Sequence, residues 1–390
     1  MKEGYRLLGD FIQPVDERNR DLKVDYLLGV SISKQFIPSI ANIVGTDLSS
    51  YKIVRTGQFA YGPVTSRNGE KISIALLQDK DCIISSSYTV FEVTDNERLD
   101  PEYLMLWFSR PEFDRYTRYM SHGSVREIFD WDELCKVELP VPSIEKQRGI
   151  VKAYNTITDR IELKRKINDN LVTSGIAAIS SVIGKAALIN ATEADLLRLN
   201  LSENYSVKTV SEYCSETKSG STPSRTVSDY WLNGTIPWVK SGEVHNNITL
   251  QTEERITQSG LEGSSAKLLP IDTVLMAMYG VTAGEVGYLG VPATTNQAIC
   301  GMVCHSRSEA AYLYFALIQS QSEISRLSNG GAQDNLSKNF IDGIKLIVPT
   351  SETLKEMRLP AFIDQMMLNT REIALLEDMQ ATLLAQLSSR

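Results

Sequence analysis

Val137-Glu138-Leu139-Pro140-Val141-Pro142-Ser143 is a short apolar strand closed by proline. It is followed at once by a helical pattern beginning Ile144-Glu145-Lys146-Gln147. The same arrangement returns at Ile344-Lys345-Leu346-Ile347-Val348-Pro349-Thr350, 207 residues after the first, and again a helical pattern follows. The offset also pairs Gly123 with Gly330, Glu127 with Asp334 and Glu145 with Glu352. Upstream, Pro101-Glu102-Tyr103-Leu104-Met105-Leu106-Trp107 matches Ala310-Ala311-Tyr312-Leu313-Tyr314-Phe315-Ala316. Leu8-Gly9-Asp10-Phe11 matches Val210-Ser211-Glu212-Tyr213. Ordered matches of this kind mark an internal duplication, the first thing to seek in a chain of this length. The order of parts is globular, helical, globular, helical. We place the boundaries at 1–143, 144–200, 201–349 and 350–390.

After each proline element the apolar spacing becomes three-four. Gln147, Tyr154, Ile161 and Asn168 alternate with Ile150, Ile157, Lys164 and Leu171. Leu359, Met366, Ile373, Gln380 and Leu387 alternate with Phe362, Asn369, Leu376 and Leu383. About four heptads of this kind predict two coiled-coil helices, each of about 40–55 Å at 1.5 Å per residue. Neither can hide its stripe alone, so the two are expected to pack on each other. Lys164 and Asn369 fall at matching core positions. We read them as tolerated polar residues, with register selection as the alternative. The globular parts read as strand-rich: Cys82-Ile83-Ile84, Tyr88-Thr89-Val90-Phe91-Glu92-Val93 and Thr273-Val274-Leu275-Met276-Ala277-Met278 carry β-branched and aromatic residues between turn signals. Short helices are expected over residues 102–108 and 310–320. Over 175–206 the pattern is ambiguous, with 191–199 extending or returning the first helix.

The chain has 390 residues and a formal net charge of −8, so bulk charge does not make it a polyanion binder. Any contact with nucleic acid must come from local basic loops or from partners. There is no apolar run of about 18 residues and the start lacks a signal-peptide core, so no membrane role is expected. Five scattered cysteines fit a reducing cytoplasm. We find no phosphate loop, no dinucleotide loop, no Asn-Pro-Pro-Tyr motif and no catalytic constellation. Gly280, Gly284, Gly287 and Gly290 read as a strand–turn–strand. Cys300, Met302 and Cys304 read as one face of a core strand rather than a metal site. His122 and His245 read as surface or hydrogen-bonding residues.

The polar loops do suggest a ligand. Lys218-Ser219-Gly220-Ser221-Thr222-Pro223-Ser224-Arg225 offers hydroxyls, exposed amides and two cations to a phosphate. Lys240 follows Trp238. Asn296, Gln297 and Gln333 carry amides able to pair with adenine, and Lys338 lies close by. In the first half, Arg67, Asn68 and Lys71, and then Ser124 and Arg126, have the same character. We take Lys and Arg as phosphate contacts, and Gln297 and Gln333 as candidates for base edges.

Ser219-Gly220-Ser221-Thr222-Pro223-Ser224-Arg225, Tyr230-Trp231 and Gly234-Thr235-Ile236-Pro237-Trp238-Val239-Lys240-Ser241-Gly242 resemble the start of a target-recognition domain. The family is the specificity subunits of type I restriction–modification systems. Asn296-Gln297-Ala298-Ile299 and Asn335-Leu336-Ser337-Lys338 resemble its later motifs, and Leu139-Pro140-Val141-Pro142 with Glu145-Lys146-Gln147 its junction into helix. Gly331-Ala332-Gln333 departs from the pattern, which has a hydroxyl residue after the glycine. The resemblance implies an α+β fold: two pseudo-twofold-related, strand-rich target-recognition domains separated by two long helices packed as an antiparallel coiled coil. It implies a non-catalytic subunit that reads a split, asymmetric target on double-stranded DNA, one domain per half-site. The implied partners are two methylation subunits, which bring S-adenosylmethionine, and motor-nuclease subunits; this chain itself holds no cofactor or metal. The rival is a fused restriction or modification enzyme with its own active site, which would require a catalytic motif.

Overall fold

The computed structural model describes residues 4–39, 45–66, 68–123, 127–183, 189–328 and 335–387. The chain forms two compact units, Met1–Arg160 with Leu376–Arg390, and Ile161–Leu375. Among the described residues no helix is long and apolar enough to cross a membrane.

The first unit is built on a four-stranded antiparallel sheet. Its strand order is Ile12–Val15, Thr89–Val93, Phe59–Tyr61, Ile74–Leu76. The rings of Phe59 and Phe91 stack at 4.9 Å, and Phe108, at the end of the helix Pro101–Phe108, meets both edge-on. Asp100 caps that helix by accepting from Tyr103 N, and Pro101 fits the first turn, where its missing N–H costs nothing.

The second unit carries a five-stranded sheet ordered Cys214–Ser219, Ile299–Cys304, Val274–Ala277, Val286–Leu289, Asn247–Thr249. A three-stranded sheet of Glu254–Ile256, Ile236–Val239 and Thr294–Thr295 lies beside it in the chain. The helix Arg307–Gln319 is buried from Ala310 through Leu317. Cys300 and Met302 are buried and pair with Met276 and Val274, whereas Cys304 is half-buried; Ile299 and Gly301 are buried as well, so the strand is covered on both faces rather than one.

The duplication is written in hydrogen bonds. Tyr103 donates from its hydroxyl to Pro140 O at 3.0 Å, and Tyr312 does the same to Ile347 O at 2.5 Å. Leu8 N donates to Val137 O at 2.8 Å, and Val210 N to Ile344 O at 2.9 Å. In both units a strand from the start of the repeat pairs antiparallel with the strand before the long helix: Tyr5–Leu7 with Glu138–Pro140, and Tyr205–Thr209 with Lys345–Pro349.

The first long helix, Ile144–Ile183, has 40 residues, about 60 Å at 1.5 Å per residue. It is longer than the sequence pattern suggested because it runs through Gly175. A Cβ there would sit 2.6 Å from the ring of Phe315, so the glycine admits a neighbouring helix. After it, residues 191–199 hold only the short helix Glu193–Arg198. The second helical region has two pieces, Ser351–Glu356 and Leu359–Gln386, parted where Arg358 takes a left-handed φ of 51°.

The helices pack antiparallel in each unit. In the first, Leu384 and Leu387 join Ile150, Val151 and Tyr154, and Gln380 Nε2 donates to Thr158 Oγ1 at 2.6 Å. In the second, Leu171 and Val172 join Leu359, Phe362, Ile363 and Met366. Lys164 Nζ donates to Asn369 Oδ1 at 3.1 Å and pairs with Glu372 at 2.8 Å. Asn369 Nδ2 donates to Asn168 Oδ1 at 2.8 Å. Lys164 and Asn369 are therefore not merely tolerated. They meet each other directly, and slipping the helices by one turn would strip these polar groups of their partners. That is how register is selected at such positions.

Candidate nucleic-acid interface

In the second unit the loop after Cys214–Ser219 turns on Gly220. A Cβ there would lie 2.1 Å from Thr295 Oγ1 and 2.2 Å from Asn296 O, so only glycine lets the two loops close. Ser221 N donates to Thr295 O at 2.8 Å, and Thr222 Oγ1 donates to Gln297 Oε1 at 2.5 Å. Asn296 turns inward: its N donates to Val239 O at 2.9 Å and its Oδ1 accepts from Ala298 N at 3.1 Å. Asn296 thus shapes the turn that presents Gln297. Ser221 shares a hydrogen bond with the Ser265 hydroxyl at 2.7 Å.

Arg225 lies over Trp231, with its guanidinium carbon 3.7 Å from the ring centroid, and 5.0 Å from Trp238. The two indoles meet edge-on. Their N–H groups donate to the backbone, Trp231 to Ser224 O and Trp238 to Ser221 O. The tryptophans of the motif are thus a platform that holds one arginine and fastens its loop.

Each described cation of this group has an acidic neighbour. Arg225 is paired with Glu254, Lys240 with Glu253 at 2.5 Å, Lys218 with Glu216 at 2.6 Å and Lys338 with Asp342 at 2.5 Å. Lys338 Nζ also donates to Thr217 Oγ1 at 2.7 Å. The hydrogen bond from Arg225, more than any other influence, holds the Glu254 carboxyl below the usual range, while Glu253 raises Lys240. These pairs are at least partly exposed and hold each cation weakly. A phosphate would have to displace the carboxylates. Glu216, Glu253 and Glu254 escaped the sequence reading. The Lys338–Asp342 pair is visible as an i, i+4 spacing on a helix. The Arg225–Glu254 pair spans 29 residues and exists only in the fold.

In the first unit, Thr65 N donates to Glu127 O at 3.0 Å and Thr65 Oγ1 to Ser121 Oγ at 2.9 Å, so the two polar loops lie side by side. Asn68 donates to Val64 O at 3.4 Å, and Lys71 is exposed. Ile72 N donates to Asp114, whose carboxylate forms a buried pair with Lys34 at 2.7 Å and anchors the loop from below. Arg67, Ser124, Arg126 and Gln333 lie outside the described residues. His245 bonds Glu285 through Nδ1 and the Gly242 carbonyl through Nε2, a hydrogen-bonding role that fits the turn reading.

The model of the type I restriction modification DNA specificity domain matches residues 39–172 and 202–377, one match in each repeat. The chain belongs to the type I restriction–modification DNA specificity family. It is a specificity component with two target-recognition domains. It is 21% identical over 383 residues to the HindI type I restriction enzyme specificity subunit of Haemophilus influenzae, covering 81% of this chain and 82% of that one. The MjaIX specificity subunit of Methanocaldococcus jannaschii is 21% identical over 294 residues, 73% of this chain and 68% of that one. Among solved structures, the type I restriction–modification S subunit from M. genitalium shares the fold with a TM-score of 0.54 at 15% identity, over 98% of this chain and 95% of that one.

Proposed function

We propose that this specificity subunit reads a bipartite, asymmetric sequence on double-stranded DNA, one target-recognition domain per half-site. The observation that carries the reading is the duplication. Each repeat has its own Tyr-to-carbonyl bond, its own polar loop pair and its own family match. Two different readers on one chain suit a target whose halves differ.

The chain works with two methylation subunits and with motor-nuclease subunits, in the cytoplasm. S-adenosylmethionine belongs to the methylation subunits; this chain contributes recognition alone. A net charge of −8 supports a division in which the partners supply much of the positive surface around the DNA. The described cations contribute locally, by exchanging Glu216, Glu253, Glu254 and Asp342 for phosphate oxygens.

The test is to map the methylated sites made by the assembled complex. Two short, unlike motifs separated by a fixed gap are expected. A single contiguous motif would overturn the reading. Salt titration of DNA affinity, with and without the methylation subunits, tests the division of charge; equal slopes would refute it.

A further inference from the structure

The strands Val274–Ala277 and Val286–Leu289 form an antiparallel hairpin whose tip reads Tyr279-Gly280-Val281-Thr282-Ala283-Gly284. Surface turns are normally polar, and an apolar tip calls for a reason. Val281 is fully exposed at 104%, the most exposed large apolar side chain among the described residues, and Tyr279 is 43% exposed.

The tip is held, not frayed. Gly284 N donates to Ala277 O at 2.8 Å, Ala277 N to Glu285 O at 2.9 Å, and Glu285 N to Thr282 O at 2.9 Å. Thr282 is buried, and Gly280 and Gly284 take left-handed φ values of 78° and 86°. Val281 therefore projects from a braced loop, with its ordering cost already met in the fold.

Its neighbours are the polar loops of the interface. Met278 N donates to Ala298 O at 2.7 Å, one residue after Gln297. Met278 O accepts from Leu336 N at 2.8 Å, two residues before Lys338. The base of the hairpin is thus tied on one side to the turn that carries Gln297 and on the other to the segment that leads into the Lys338 helix. The amide of Gln297 and the ammonium of Lys338 suit base edges and phosphate, and neither supplies the apolar surface that a methyl group calls for. In the major groove the 5-methyl of thymine is read by apolar contact.

We propose that Val281 is a base-reading residue, whose side chain contacts the 5-methyl of a thymine in the half-site recognised by the second domain. This rests on the specificity reading above. The test uses the complex assembled with its methylation partners and fluorescence anisotropy on duplexes carrying the mapped target, each thymine replaced singly by uracil, which lacks only the methyl. One replacement in the second half-site is expected to weaken wild-type binding roughly four-fold, the effect of about one buried methyl. Val281→Ala should show the same loss on unmodified DNA and no further loss on that uracil duplex, while Val281→Thr, which keeps one methyl, restores most of the affinity. Val281→Ala binding as tightly as wild type, additive losses, or no sensitive thymine in that half-site would overturn the proposal. A wild-type complex that does not prefer its mapped target over unrelated DNA would instead refute the specificity reading beneath it.

Discussion

Gln147 shows how much one buried polar side chain can organise. It is fully buried at the start of the first long helix. Its Oε1 accepts from Asp100 N at 2.9 Å, while Nε2 donates to Arg98 O at 3.0 Å and Pro142 O at 2.8 Å. It ties the helix junction to the loop that caps the helix Pro101–Phe108. Replacing Gln147 by Ala strands these backbone groups and should cost about 1–3 kcal/mol, read by denaturant unfolding. The residue was visible in sequence as part of the junction motif, but its three partners were not. Arg225 makes a second test. Arg225→Lys keeps the charge and loses the flat stack on Trp231, so it should recover only part of the DNA affinity lost in Arg225→Ala. Arg225→Ala should also lower the slope of log affinity against log salt by about one, if this side chain reaches a phosphate. An unchanged slope in anisotropy titrations would remove it from the phosphate contacts.

At the scale of elements, the helix pair carries its own register device. Lys164, Asn168, Asn369 and Glu372 form one connected polar group between the helices of the second unit, where Leu171, Val172, Phe362 and Met366 supply apolar contacts. A double-mutant cycle with Lys164→Ala and Asn369→Ala should give a coupling of about 0.5–3 kcal/mol. Replacing Lys164, Asn168, Asn369 and Glu372 together by Leu should leave stability unchanged or raised while weakening register, visible as altered inter-helix cysteine cross-linking. The heptad spacing made the helices legible before the fold was known. The meeting of Lys164 with Asn369 was not settled there, because residues at matching core positions need not touch; the antiparallel pairing brings them together. In the same way, Gly175 reads as a helix breaker in isolation. The helix continues to Ile183 because Ile179 and Ile183 beyond it are buried in the core, and the ring of Phe315 leaves no room for a Cβ at 175.

For the whole molecule, the duplication predicts modular behaviour. Exchanging residues 201–349 for the matching domain of a relative should change one half of the methylated motif and leave the other intact. Lengthening both long helices by a matched turn should change the number of bases in the gap and neither half-motif. Both outcomes are read by mapping methylated sites. A swap that altered both halves at once would show that the two readers are not independent.

The linear chain by itself determined the repeat, the strand-rich and helical stretches and the family motifs. These follow from local periodicity, proline and glycine placement and the order of recurring residues, none of which needs a distant partner. The tertiary structure alone decided which groups face one another. It set Glu254 against Arg225, closed Gly220 on Thr295, joined Lys164 to Asn369 and tied the base of the Val281 hairpin, through Met278, to Ala298 and Leu336. Charge pairing and close approach depend on distances in space, and sequence separation says nothing about those until the sheets and helices have packed.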